Sequence, residues 1–270
     1  MGRLREYANA TERKRANRRK HAQERLHQIP QVHGEGYTLY QGDALAVVPL
    51  LGPYDHCICD PPYEAQAHAF SRRTRAYLEG RSPFAALDFA PMTEAQRRLF
   101  RQLACGWILI FAQVEAVGKY QEVLGARYRR PLWWRKKDGS PQYTGDRPGM
   151  GYESIVCAWG KPGRSQWNGG GKHGVYEHLI RDGEDRVHLT QKPLPLMRAL
   201  VRDFTQPGDT ILDPFAGAAT TGVAALEEGR RFIGIELDAA YFQSACARLA
   251  ATVRQEKLFP HPATQHTLWA

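Results

Sequence analysis

The sequence predicts an α/β protein with a mostly parallel sheet that carries helices on both faces. From residue 37 onward, short apolar runs alternate with segments of helical periodicity. Residues 107–112 form a continuous apolar run, which is typical of a strand buried on both faces. Two further runs end abruptly in turns that contain proline, at residues 60–63 and 213–217, where a ladder of backbone hydrogen bonds must stop.

The amino-terminal half begins with a basic arm over residues 1–33, expected to be helical over residues 11–26 and interrupted at Pro30. Strands are predicted over residues 37–40, 55–59 and 107–112, with a short helix over residues 44–51. Thr93 and Gln96 form a capping-box pattern that opens another helix. Residues 64–92 show no periodicity and are expected to form a long loop.

The carboxyl-terminal half continues the alternation. Strands are predicted over residues 127–137, 152–159, 209–213 and 231–236, and the six glycines of residues 160–174 predict a flexible excursion. Helices are expected near residues 197–204, 220–228 and 242–253, where apolar residues recur every three or four positions. The sequence therefore predicts one catalytic domain over residues 34–255, followed by a tail over residues 256–270.

The composition excludes several classes of protein. Of the 270 residues, 43% are hydrophobic and 24% are charged, which is ordinary for a globular domain. No stretch approaches the roughly 20 apolar residues of a membrane span, and no signal peptide is evident. The five cysteines and the histidines lack disulfide or metal-ligand spacing, so we expect a reduced, cytoplasmic protein without a metal.

Most of the net positive charge lies in the arm. Residues 1–25 hold nine Lys or Arg against three Glu, a net +6 out of +9 for the whole chain. Such an arm suits a polyanion, because each phosphate contact releases a counterion. The alternative interpretation is a solvated terminus that only improves solubility.

The tetrapeptide Asp60-Pro61-Pro62-Tyr63 follows the second predicted strand and carries the clearest chemical logic. The lone pair of an exocyclic base amine is delocalised into the ring and is a poor nucleophile. A carboxylate and a main-chain carbonyl only accept hydrogen bonds, so Asp60 and Pro61 could bind both amine protons and favour a pyramidal nitrogen. Tyr63 could stack on a base turned out of its duplex.

A second motif runs from Asp213 through a small-residue turn to Thr221. Such a turn before a helix lets a ligand approach the backbone closely. Glu236 lies 19 residues after Gly217, close to the spacing at which an acidic residue holds a ribose in nucleotide-binding α/β folds. The two motifs together predict a nucleotide-like cofactor beside an extruded base.

These motifs, with residues 188–193 and Gly234-Ile235-Glu236, resemble the S-adenosylmethionine-dependent DNA amino-methyltransferases. The tetrapeptide precedes the cofactor loop, as in their permuted beta class, and the resemblance covers residues 37–255. It implies a Rossmann-like, seven-stranded class I methyltransferase sheet. Two positions depart from the family pattern: Ala219 replaces a loop glycine, so its methyl could narrow the pocket, and Leu189 replaces a proline.

The resemblance also implies the site residues. The catalytic tetrapeptide is residues 60–63, and Glu236 would bind the ribose hydroxyls. The residues implied around the cofactor, S-adenosyl-L-methionine, are Asp43, Asp60, Gln191, Lys192, Asp213, Phe215, Ala216, Gly217, Thr220, Thr221 and Glu236. No metal is implied, because methyl transfer from a sulfonium needs none.

The first residue of the tetrapeptide bears on the target base. Relatives with Asp at this position usually methylate adenine N6, and those with Ser methylate cytosine N4, so Asp60 favours adenine. A cytosine-N4 or RNA methyltransferase, and a non-catalytic DNA-binding regulator on the same scaffold, remain alternatives. Cys57 and Cys59 match no cytosine-C5 nucleophile motif and are expected to be small core residues.

Double-stranded DNA is the expected partner. Target-recognition loops are predicted at residues 64–92 and 160–187, with surface loops as the alternative. The candidate DNA contacts are Arg129, Arg135, Lys136, Arg164 and Lys172. The pentapeptide from Gln255 to Phe259 resembles a sliding-clamp ligand, although its apolar residues could instead pack on the domain, and relatives suggest a homodimer.

Overall fold

The computed structural model describes residues 2–62, 91–139, 148–180 and 191–258. Its strands are β1 Gln31–Gly34, β2 Tyr37–Gln41, β3 His56–Cys59, β4 Trp107–Ala112, β5 Tyr128–Lys136, β6 Tyr152–Trp159, β7 Val175–His178, β8 Thr210–Asp213 and β9 Arg231–Glu236. Its helices are α1 Gly2–His27, α2 Ala44–Val47, α3 Glu94–Gln102, α4 Val117–Leu124, α5 Leu194–Phe204, α6 Thr220–Glu227 and α7 Ala239–Leu258, with three single turns of 3-10 helix between them. No helix in these ranges is long and apolar enough to cross a membrane.

The strands form one mixed sheet in the order β1-β2-β9-β8-β3-β4-β6-β5-β7. Strands β2, β9, β8, β3 and β4 are mutually parallel, whereas β6 is antiparallel to both β4 and β5. Strand β5 therefore points the same way as β4, and β7 pairs parallel to it. The carboxyl ends of these parallel strands consequently meet at one edge of the sheet, which we call the carboxyl edge.

Hydrophobic side chains alternate between two cores, one on each face of the sheet. Leu109 and Phe111 of β4 belong to the first core, with α5, α6 and α7, while Ile108 and Ile110 belong to the second, with α2, α3 and α4. All six residues of β4 are buried, as expected for a strand covered on both faces. The predicted helix–sheet–helix layering is confirmed.

All seven predicted strands are present, and the edges of the sheet carry two further short ones, β1 and β7. The capping box of α3 is confirmed: the Thr93 side chain accepts from the Gln96 backbone N–H, and the Gln96 side chain accepts from the Thr93 backbone N–H. The arm is a helix over nearly its whole length, and β1 crosses the predicted arm boundary at residue 33.

Residues 160–173 form a tethered segment rather than the expected flexible excursion. The Trp107 indole donates to the Gln166 carbonyl, and the Asn168 side-chain amide donates to the carbonyls of Arg202 and Thr205 at 3.0 and 2.8 Å. The segment leaves β6 at Trp159, which lies opposite Trp107 at the start of β4. It therefore lies at the edge opposite the carboxyl edge, and the prediction that it reads bases finds no support in this placement.

Candidate active site at the carboxyl edge

Four acidic residues lie where neighbouring parallel strands end. In the sheet register, Gln41 lies opposite Glu236 and Asp213 opposite Gly234, while Leu212 lies opposite Cys57. Asp43 and Asp60 follow β2 and β3 directly. Because adjacent strands are about 4.8 Å apart, these carboxylates line one short stretch of the carboxyl edge. Open α/β sheets bind their ligands at this kind of edge.

The Asp60 carboxylate is held through one oxygen only. Oδ2 accepts from the Lys192 ammonium at 2.8 Å. Oδ1 is shielded from solvent and has no hydrogen-bond partner among the described residues. Burial raises the pKa of the Asp60 carboxyl above its usual value, although the Lys192 ammonium opposes that rise. An unpartnered buried acceptor is costly, so this oxygen is suited to a donor supplied by a ligand.

Two prolines follow Asp60 directly, and Pro61 is buried while Pro62 is half-buried. Neither has an N–H, so the backbone beside Asp60 offers acceptors without donors. Tyr63 lies outside the described residues, as do residues 64–90 of the first predicted recognition loop.

Lys192 lies at the centre of the carboxylates rather than on the surface. Its ammonium is also 3.0 Å from Glu153 Oε1 and 5.0 Å from the centre of the Phe111 ring. Burial alone would lower the pKa of this ammonium, but the carboxylates of Asp60 and Glu153 raise it above its usual value. The two carboxylates therefore favour the charged form of Lys192. The resemblance placed Lys192 and its neighbour Gln191, which is also buried, near the cofactor.

The turn after β8 is built around Asp213. Its Oδ1 accepts from the Phe215 N–H at 3.0 Å. Burial raises the pKa of Asp213 to about 7, although hydrogen bonds from the Thr221 hydroxyl and the Phe215 N–H oppose the rise. Ala216 N–H donates to the Ile235 carbonyl at 2.8 Å and fixes the turn to β9.

Ala219 adopts a left-handed backbone conformation, which favours glycine. Its φ and ψ are +57° and +39°, and it is the one described non-glycine residue with positive φ. This left-handed conformation costs roughly 1–2 kcal/mol for a residue with a Cβ. Ala219 is fully buried and belongs to the first core. Its methyl group therefore packs within that core, and a narrowing of the pocket by Ala219 stays a prediction.

The end of the turn is fixed from α7. The Arg248 guanidinium donates to the Ala218 carbonyl at 2.8 Å and to the Thr220 hydroxyl at 3.0 Å. Thr220 and Thr221 are both buried at the first turn of α6. The helix start is thus rigidly placed beside Asp213.

Glu236 closes the turn from the next strand. Its Oε2 accepts from the Gly217 N–H at 2.7 Å, and its Oε1 accepts from the Asp238 N–H at 2.8 Å. Burial raises the pKa of the Glu236 carboxyl, against the effect of these hydrogen bonds. Gly217 has φ +51°, and a Cβ built on it would meet no atom within 4 Å, so open space adjoins the turn.

Asp43 and Leu237 lie at the carboxyl edge as well, just after β2 and β9. The Asp43 side chain caps α2 by accepting from the Leu45 N–H at 2.9 Å. Leu237 is 70% exposed immediately after Glu236, an unusual position for a large apolar side chain. Sequence reasoning missed Leu237, although an apolar residue just beyond an acidic strand end could have signalled a surface for a ligand ring.

A family model described as DNA methylase, of the N6/N4 type, matches residues 54–247. The chain belongs to this DNA methylase family. Two Escherichia coli K12 proteins align over shorter regions. YubD, whose name describes a methylase, is 49% identical over 70 residues, or 26% of this chain and 31% of YubD. The DNA adenine methyltransferase YhdJ is 47% identical over 62 residues, or 23% of this chain and 21% of YhdJ.

Several solved structures share the fold of this chain. The complex of M1.HpyAVI with SAM has a TM-score of 0.59 at 24% identity, covering 79% of this chain and 98% of that chain. TTHA0409 of Thermus thermophilus, complexed with S-adenosyl-L-methionine, has a TM-score of 0.54 at 25% identity, covering 80% and 93%. The PvuII cytosine-N4-specific methyltransferase has a TM-score of 0.58 at 12% identity, covering 82% and 92%. The class I methyltransferase sheet implied by the resemblance is confirmed.

The candidate DNA contacts of this chain are divided between the two edges of the sheet. Arg135 and Lys136 end β5 at the carboxyl edge, whereas Arg129 lies near the start of β5, opposite the site. Arg164 lies in the tethered segment, and Lys172, also in it, pairs with Asp203 at 2.8 Å. Arg135 pairs with Glu177 at 2.7 Å on the surface. DNA contact by all five stays a prediction.

Lys136 and Glu153 enter the site unexpectedly. The Lys136 ammonium is 3.0 Å from Glu153 Oε2, and its side chain is 19% exposed. Sequence reasoning placed Lys136 on DNA and missed Glu153 altogether. The only signal in the sequence was a single acidic residue at a buried position of β6, a strand that is mostly apolar.

Proposed function

We propose that this chain is a site-specific DNA methyltransferase that transfers a methyl group from S-adenosyl-L-methionine to adenine N6. The observation that carries the proposal is the Asp60 carboxylate, with Oδ2 bound by Lys192 and Oδ1 buried without a partner among the described residues. Membership of the DNA methylase family supports the reaction class. The enzyme would use this free oxygen to bind the amine of an extruded base.

The residues of the chain would act mainly by orientation and hydrogen bonding. Asp60 Oδ1 would accept a hydrogen bond from one amine N–H and the Pro61 carbonyl a hydrogen bond from the other, which localises the lone pair on nitrogen. When bound, S-adenosylmethionine supplies a methyl group on a cationic sulfur, so that an N–C bond forms as the S–C bond breaks. The proton then leaves the methylated amine, and the raised pKa of Asp60 suits that carboxylate to receive it.

The turn from Asp213 to Thr221 fits this cofactor. Glu236 offers a half-buried carboxylate at the strand end where α/β folds hold a ribose diol. Open space adjoins Gly217, and the exposed Leu237 side chain follows Glu236 directly. Both would suit a flat apolar ring next to a polar sugar. The two loop threonines and Asp213 would lie beneath the amino-acid end.

Adenine is favoured over cytosine by Asp60 in the first position of the tetrapeptide and by the similarity to YhdJ, a DNA adenine methyltransferase. The cytosine-N4-specific PvuII enzyme is similar in fold alone. Cytosine N4 is therefore the second candidate target, since both reactions place an exocyclic amine against the same two acceptors.

Double-stranded DNA is the proposed partner. Helix α1 presents exposed cations, including Arg18, Arg19 and Lys20, and its end packs on the domain through Leu26 and Ile29. A basic helix anchored in this way would follow the phosphate backbone. The homodimer and the clamp contact stay predictions: Gln255 lies on α7, and Phe259 is outside the described residues.

Nucleoside mass spectrometry tests the function directly. The chain is expressed in a bacterial host that lacks its own DNA methyltransferases, and the host DNA is digested and analysed. We expect N6-methyladenine from the wild-type chain and none from Asp60→Ala, while calorimetry shows S-adenosylmethionine binding to both. Glu122→Ala, on the exposed face of α4, is the matched control and keeps wild-type methylation. N4-methylcytosine would establish the second candidate, and full methylation by Asp60→Ala would refute the mechanism.

A further inference from the structure

Asp60 and Lys192 are half of a longer row of alternating charges. From the Asp60 carboxylate the row runs through the Lys192 ammonium at 2.8 Å and Glu153 Oε1 at 3.0 Å. Glu153 Oε2 then lies 3.0 Å from the Lys136 ammonium. Lys192 and Glu153 are 6% and 9% exposed, so the row extends from the reacting carboxylate into the protein and emerges at the half-buried Lys136.

Strand geometry explains why these side chains meet. Side chains two residues apart in a strand point to the same face. Asp60 follows Ile58 by two positions, Glu153 precedes Ile155 by two, and Lys136 follows Trp134 by two; the three apolar residues all belong to the first core. The charges therefore continue that face at the carboxyl edge, where Lys192 arrives just before α5.

Each member fixes its neighbour. Two carboxylates hold the Lys192 ammonium from two sides, above the Phe111 ring. Lys136 occupies the second oxygen of Glu153 and lies 4.8 Å from the centre of the Trp134 ring. Glu153 therefore contacts both lysines at once, and Lys192 contacts both carboxylates at once. Two anions and two cations leave the row neutral overall.

We propose that Glu153 and Lys136 are positioning residues for methyl transfer, which hold Lys192 on one oxygen of Asp60 so that the other stays directed at the reacting amine. This inference rests on the proposed function of Asp60. Neither residue touches the substrate or the cofactor in this mechanism. Both act through Lys192, and both set the charge that Asp60 experiences.

The electrostatics give the two residues opposite effects. Glu153 raises the pKa of Asp60, whereas Lys136 lowers it, in addition to the larger effects of burial and Lys192. Among the described residues, the other titratable groups that interact electrostatically with Asp60 are the Asp213 carboxyl on β8 and the buried Cys59 thiol on β3. When Asp60 is protonated, the oxygen that carries the proton cannot accept from the amine. The fall of the methylation rate toward low pH, which we call the acid limb of the pH–rate profile, should therefore follow the titration of Asp60.

The experiment uses Glu153→Gln, Lys136→Met and the double variant in the full chain. Single-turnover methylation of host DNA is measured against pH, and thermal unfolding and S-adenosylmethionine affinity are measured for each protein. Selective 13C labelling of aspartate carboxyls, with Asp60→Asn for assignment, follows the titration of Asp60 without any need for activity. Glu153→Asp keeps the charge and shortens the side chain.

We expect Glu153→Gln to slow the transfer step about tenfold or more, because Asp60 would be less precisely oriented toward the amine. The same variant should move the acid limb to lower pH, because Glu153 raises the pKa of Asp60. Lys136→Met should move the limb to higher pH, and the double variant should return it toward the wild-type position. Glu153→Asp should lower the rate without moving the limb. Cofactor affinity should change by less than about twofold, since neither Glu153 nor Lys136 is assigned to the cofactor.

A limb that stays in place in all of the folded variants, or that moves in the same direction in both single variants, would overturn the proposal and leave the row a structural feature. If Glu153→Gln does not fold, the proposal requires Lys136→Met to move the limb to higher pH and Glu153→Asp to lower the rate with the limb in place, and any other result overturns it. A wild-type chain that methylates no DNA refutes the proposed function instead, and the carboxyl titration then decides the positioning role by itself.

Discussion

The buried carboxyl of Asp213 should make the stability of the protein fall as pH rises. Its pKa is about 7 in the folded protein, against an ordinary value of 3.8. Between these two values the folded state binds a proton that the unfolded state releases, so stability is greatest at low pH and is lost toward neutral pH. Asp213→Asn replaces the carboxyl with an isosteric neutral group that can still accept from the Phe215 N–H.

The size of the effect follows from the difference in pKa. Each pKa unit corresponds to about 1.4 kcal/mol of unfolding free energy. Between about pH 4 and pH 7 the wild-type protein should therefore lose roughly 4 kcal/mol of unfolding free energy relative to Asp213→Asn. Urea unfolding of both proteins across this range, analysed as the difference at each pH, removes the contribution of all other titrating groups. Above about pH 7 the difference should be constant.

A matched variant checks the cause. Thr221→Val removes the hydroxyl whose hydrogen bond lowers the pKa of Asp213, so the upper end of the window should move to higher pH. A stability difference between wild type and Asp213→Asn that is flat with pH, or that grows in favour of the wild type toward neutral pH, would refute the reasoning. It would mean that water reaches the carboxylate at the end of β8.

Three other perturbations test separate parts of the fold. The His56 ring accepts from the Trp107 N–H at Nδ1 and faces Asp209 through Nε2, and burial lowers its pKa. Stability should therefore decline as pH falls below about 6.5, and His56→Gln should reduce that decline in urea unfolding. Ala219→Val should cost about 2 kcal/mol or more, with Ala219→Gly near neutral, by thermal unfolding. Deletion of residues 2–25 should weaken DNA binding and flatten its dependence on salt; an unchanged salt slope contradicts a role for the arm.

The central strands were predictable because each carries its own signal. Strand β4 is apolar at every position, and β3 and β8 end in turns that contain proline. The edge strands β1 and β7 were missed because each has only four residues with little apolar content, so pairing with a neighbour determines them. The segment 160–173 looked flexible from its glycines, yet indole and amide hydrogen bonds to distant backbone tether it.

The site was predictable as a set of motifs but not as a network. Asp60, Asp213 and Glu236 stand at strand ends, a position that the sequence itself reveals. Glu153 is distant in sequence from Asp60 and joins it only through Lys192, which requires the register of β6 against β4 and the placement of α5. Long-range pairing of this kind leaves no periodicity in the chain, so Lys136 was assigned to a surface role.

The most direct test of the mechanism is a crystal structure of the protein with duplex DNA and a cofactor analogue that cannot transfer its methyl group. We predict an extruded adenine whose N6 lies about 2.7–3.2 Å from Asp60 Oδ1, with the Lys192 ammonium still on Oδ2. An amine bound elsewhere, or a Lys192 that has left Asp60 to bind the ligand, would contradict this mechanism.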